Sequence, residues 1–254
     1  MRSSSVTSPG SGLGAPTRLN QIRALWKPAL SAFSMNLSSA LGLQGVILAI
    51  GAAISPAAAG AFGAARLVSR VPLQLIAMAS RASAPELTRL HAQKNVVSRD
   101  QLFLLNVAVA LLVAVPAALL LIFAGPWAVD TISHGQLQVS TVLFIALAGA
   151  VALQSVWMVG ADFLWAINRQ GITAYVYLLA TATMVLGPFL VSAPHALEKA
   201  AGLMVLGEIA MLAGVVSVCL RATGLNAGSA LAATRSGRVN ISHKLVRLFL
   251  KGPR

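Results

Sequence analysis

The sequence predicts an all-α protein: a polytopic transmembrane helical bundle of about six membrane-spanning helices, with both termini cytoplasmic. Three observations lead there. Of the 254 residues, 57% are hydrophobic and only 10% are charged, against about 25% charged in an ordinary soluble domain. Six apolar stretches reach the roughly 20 residues needed to cross a bilayer. The lysines and arginines gather on the connections of one side, as the positive-inside rule requires of cytoplasmic segments.

Residues 1–27 are rich in Ser, Gly and Pro, carry Arg2, Arg18, Arg23 and Lys27, and lack an apolar core. They read as a cytoplasmic basic tail, or as a linker, and not as a cleavable signal peptide. The six-helix transmembrane lobe covers residues 28–220, with spans at about 28–54, 57–80, 102–124, 138–167, 172–193 and 198–220. After the second span, residues 83–96 continue as a helical extension into the cytoplasm. The third helix then opens on Ser98-Arg99-Asp100-Gln101, where Ser98 would cap and Gln101 would reach back. Gly125 and Pro126 punctuate a loop before the fourth span, and the segment around Pro194 makes a short turn before the sixth.

The cytoplasmic side holds the four basic residues of the N-terminal tail, the Arg81, Arg89, Lys94 and Arg99 group, Arg169, and the C-terminal tail. The outer connections hold only Lys199. Residues 221–254 form that second basic tail. Within it, Ile241, Leu245, Leu248 and Phe249 share one helical face, and Lys244, Arg247 and Lys251 another. The pattern is either a basic amphipathic helix lying on the anionic inner leaflet or a frayed basic end.

Net charge +13 would suggest nucleic acid in a soluble protein; here the membrane accounts for it. Cys219 is the sole cysteine, so no internal disulfide forms, and the four histidines are scattered without metal-ligand spacing. There is no phosphate-binding glycine loop, no HxxxH or CxxC, and no aspartate cluster for metal ions. The chain calls for no cofactor, and this absence of a catalytic set argues against an enzyme.

Charge inside the spans is the most informative feature. Arg66 and Arg70 are four apart on the second span, hence on one helical face, and Arg66 lies about 15 Å from the span's start near Pro56. An intramembrane arginine costs about 2.5–3.5 kcal/mol on insertion scales and faces a bundle interior or a wet cavity. Two guanidiniums on one face suit a diphosphate. The alternative is structural pairing. Glu208, about 15 Å into the sixth span, matches the depth of Arg66, while Asp162, near the inner end of the fourth, matches Arg70 to Arg81. These two carboxylates are candidates for ion pairing or for binding a coupling ion. Asn36, Ser38, Ser39 and Gln44 on the first span either line a cavity or hydrogen-bond between helices.

Residues 41–76, with Gln44, the Gly51 to Ala58 turn, Arg66 and Arg70, resemble the seventh and eighth helices of polysaccharide-biosynthesis (O-antigen) flippases. These belong to the multidrug/oligosaccharidyl-lipid/polysaccharide exporter superfamily. Pro85-Glu86 followed by Leu87, and the Asn168 exit from the fourth span, are similar to family features as well. The resemblance covers residues 28–220. It implies alternating access in the bacterial inner membrane, with cationic residues receiving the diphosphate of a polyprenyl-linked oligosaccharide in lipopolysaccharide or related synthesis. By that resemblance Arg66 and Arg70 become headgroup contacts, with Gln44 and Asn36 beside them.

Such flippases have two six-helix lobes around their cavity, and this chain corresponds to the second. The missing wall would come from a second copy, as a homodimer, or from an N-terminal half of a longer or split protein. Two other functions fit the same features: a multidrug/cation antiporter of the superfamily coupled through Asp162 or Glu208, and a non-transporting membrane scaffold or fragment.

Overall fold

The computed structural model describes residues 18–137, 139–191 and 195–223, and within them every element is helical. The elements run α1 (Arg18–Ala40), a π-helical turn (Leu41–Gly45), α2 (Val46–Ala53), α3 (Pro56–Ala92), α4 (Val96–Ile132), α5 (Thr141–Ala166), α6 (Gly171–Leu190) and α7 (Ala196–Thr223). The α1–π–α2 stretch is continuous, so the eight elements make six rods. Short turns join them, which lays successive rods antiparallel. Five of the rods, all but α3, are long and apolar enough to cross a membrane. Arg66, Arg70 and Arg81 lower the apolarity of α3, yet at 37 residues it is about 55 Å long and packs along α4 and α5. The chain is thus a helical, multi-pass membrane protein. The expected amphipathic helix at 241–251 lies outside the described residues.

The helix ends follow from local chemistry. Pro56 occupies the first turn of α3, where its missing N–H costs nothing, and the Ser55 hydroxyl accepts from the Ala58 N–H at 3.1 Å. Lys94, His134 and Asn168 adopt left-handed backbone after α3, α4 and α5. In each case the next N–H returns to a carbonyl five residues back: Asn95 to Leu90, Gly135 to Asp130 and Arg169 to Leu164. This is the six-to-one closure of a Schellman end, and it gives the Asn168 exit a backbone reason, since asparagine tolerates that conformation.

Three expectations are corrected. α4 begins at Val96 and its cap is Asn95, whose side chain accepts from Ser98 N at 3.2 Å, so Ser98 lies in the first turn. α4 also runs through Gly125 and Pro126 to Ile132: the Phe144 ring of α5 packs where a Gly125 side chain would be. Helical structure at the first span starts at Arg18, inside the stretch assigned to the tail.

α5 is the central helix, with half of its apolar window buried against 17% for α4, which forms the lipid-facing rim. Small residues allow the tight contacts around α5. At Gly160 a Cβ would come within 2.5 Å of Val215 Cγ1 on α7, the close approach that such residues provide between membrane helices. Large apolar side chains such as Leu112, Phe123, Met78 and Leu190 point outward.

Candidate functional site

A cleft of about 460 Å³ lies between α1 and α3, with α5 as its floor. Its wall repeats at helical spacing. Arg70, Gln74 and Arg81 come from α3, Gln154, Trp157, Asp162 and Trp165 from α5, Asn36 and Ser39 from α1, and Tyr177 from α6. Asn36, Ser39, Gln74 and Arg81 are exposed and line this opening. The cleft exists because the first rod splits its contacts: α2 packs on α3 and α6, whereas α1 packs on α6. The π-helical turn sits where the two behaviours meet, a placement typical of functional sites.

Beneath the cleft is a recess of about 20 Å³ that Arg66, Arg70, Thr181, Tyr177 and Glu208 help to line. Arg70 borders both spaces. Arg66 is only 8% exposed and its guanidinium lies over the Phe62 ring at 5.7 Å, a cation–π contact. Its Nη1 has no hydrogen-bond partner, and neither has the buried Thr181 Oγ1. Glu208 is buried, and its Oε2 accepts from Trp157 Nε1 at 2.6 Å. The Trp157 ring in turn meets Tyr177 at 5.2 Å between centroids, and the Tyr177 hydroxyl meets Ser39 of α1.

The structure brings Arg66, Arg70 and Glu208 together, as equal depth on α3 and α7 requires. It does not close an ion pair among them. Among the described residues, ion pairs within 4.0 Å form at Glu86–Arg89 and Arg99–Asp100, and neither Arg66 nor Arg70 takes part. Asp162 lies on the cleft wall beside Ser80 and Arg81, away from the recess. Asn36 lines the cleft, whereas Gln44, on the π-helical turn, is exposed and borders neither space.

Gln74, Gln154, Trp157, Tyr177 and Thr181 complete the site, and the sequence reading passed over them. Part of the signal was there: Gln74 follows Arg70 by four, and Asp162 follows Gln154 by eight, so each pair shares a helical face. Among the described residues no cluster of three His, Cys, Asp or Glu side chains is placed to hold a metal ion.

The arrangement is a cleft between the helices with a cationic wall, amide hydrogen-bonding groups, the exposed Trp165 ring, the half-buried Tyr177 ring and the buried Trp157 ring, above a smaller charged recess. No protein-family model, curated protein or solved structure matches the chain.

Proposed function

We propose that the protein is a membrane transporter, or one half of one, that moves a polyprenyl-diphosphate-linked oligosaccharide across the bacterial inner membrane for surface-polysaccharide synthesis. The observation that carries this reading is the cleft wall, where Arg70, inside the second span, and Arg81, at its cytoplasmic end, both stand with no carboxylate oxygen within 4.0 Å. A guanidinium inside the span without a closed ion pair, as at Arg70, is costly unless an anion or water faces it, and a diphosphate offers the oxygens that arginine binds best. Asn36, Gln74 and Gln154 supply hydrogen bonds for sugar hydroxyls. In this reading both termini are cytoplasmic, the substrate loads from the anionic inner leaflet, and the lobe rocks against a partner lobe.

The size of the cleft supports the need for that partner. About 460 Å³ is within the range of a small-ligand site, enough for a diphosphate and a sugar but not for an oligosaccharide. A second copy, or an N-terminal half, would complete the wall between α1 and α3.

A second reading rests on Asp162. A carboxylate on the cleft wall could bind a coupling ion or a lipophilic cation, as an antiporter of the same superfamily would require. Proteoliposomes separate the two. We expect transfer of a fluorescent polyprenyl-diphosphate sugar across the bilayer with the wild type and its loss with Arg70→Gln plus Arg81→Gln. Wild-type rates from that double variant, or export of lipophilic cations in place of the lipid, would remove the diphosphate role.

A further inference from the structure

We infer that the recess beneath the cleft is a binding site for one small monovalent anion of chloride size, separate from any ligand in the cleft. The recess measures about 20 Å³, room for one water-sized particle and far too little for a diphosphate. Two of the residues that line this one space, on different helices, each hold a buried polar atom without a partner: Arg66 its Nη1 on α3 and Thr181 its Oγ1 on α6. Both residues are more than nine-tenths buried. One orphaned atom is a local defect, but two on a single-particle cavity point to an occupant that accepts hydrogen bonds from both, because buried donors are otherwise paired.

The charge narrows the choice. Arg66 and Arg70 face a single carboxylate, Glu208, whose Oε2 is already taken by Trp157. The recess therefore carries a positive excess whether or not Glu208 holds a proton. Two guanidiniums repel a cation. A water satisfies the hydrogen bonds but leaves the excess, whereas a monovalent anion satisfies both. Tyr177, on the same wall, adds a hydroxyl. The ion would hold Arg66 in the recess and leave Arg70, which borders both spaces, free to meet a larger anion above.

The test is equilibrium binding of radioactive chloride to the full chain in neutral-lipid nanodiscs. The wild type should bind saturably at one ion per chain. Arg66→Gln should abolish binding, and the near-isosteric Thr181→Val, which removes only the hydroxyl, should weaken it roughly tenfold. Arg89→Gln, on the exposed end of α3, should bind as the wild type does. Absence of saturable binding by folded wild type would overturn the inference and leave a bridging water in the recess. Binding that Thr181→Val leaves unchanged would also overturn it, because the ion would then sit elsewhere. No lipid substrate enters the assay, so its failure and a failure of the proposed transport are separate results.

Discussion

Two buried arginines in this protein have opposite surroundings. Arg99, 5% exposed at the start of α4, is held on every side. Its Nε and Nη2 donate to Asp100 Oδ1 at 2.8 and 2.6 Å, its Nη1 meets His91 Nδ1 at 3.4 Å, and its guanidinium lies 5.6 Å from the centre of the Phe163 ring. Arg66, buried almost as deeply in the middle of α3, has the ring contact but no carboxylate within 4.0 Å and an unpartnered Nη1. One arginine is committed to the fold and the other is left available. The difference teaches where stability and ligand binding part company: a satisfied buried charge ties helices together, and an unsatisfied one costs stability that only a ligand returns.

The sharpest way to break the comparison is to unpair Arg99. Asp100→Ala leaves its guanidinium buried against His91 and Phe163 alone, and should cost about 3–5 kcal/mol, read as a large drop in the thermal unfolding midpoint in detergent. Replacing both partners by apolar residues, Arg99→Met with Asp100→Leu, should recover most of that loss. Next in size is Trp157→Phe, which takes the indole N–H donor from the Glu208 carboxyl and should cost about 1–3 kcal/mol.

Arg66→Met should behave in the opposite way. It removes an unpaired buried charge, so stability should stay within about 1 kcal/mol of wild type or rise, while chloride binding is lost. A collapse in stability comparable to Asp100→Ala would mean that Arg66, too, is a structural residue.

The smallest effect belongs to Glu86–Arg89, a pair on the exposed end of α3. Arg89 hydrogen-bonds the Glu86 carboxyl and holds its pKa below the usual value. The contribution of the pair is therefore present above the ordinary glutamate pKa and is lost as pH falls through the lowered one. Exposed pairs of this kind are screened, so Glu86→Gln should lower the unfolding midpoint only slightly at pH 7, and that small difference from wild type should vanish on the acid limb.

Much of this contrast was legible beforehand. Apolar length placed the six rods, and rise per residue put Arg66 and Glu208 at one depth. The turn at Gly125-Pro126 was misread because those residues end helices in water; in an apolar setting a broken backbone leaves groups unsatisfied, so the helix continues. The π-helical turn and the partners of Arg99 were not legible. A bulge depends on how α1 and α2 pack against different neighbours, and no i, i+3 or i+4 rule brings Asp100 and His91 onto one guanidinium. Trp157, Tyr177 and Thr181 were missed for a related reason: each is unremarkable on its own helix and gains its role from what faces it.

The central claim is that the arginines of the cleft are kept free for an anionic lipid, and native mass spectrometry of the protein released from nanodiscs tests it most directly. With polyprenyl diphosphate added, the wild type should carry one lipid adduct per cleft, Arg70→Gln should lose it, and Arg89→Gln should keep it. Equal adducts on all three proteins would contradict the claim and return Arg70 to the role of an incidental charge on a structural helix.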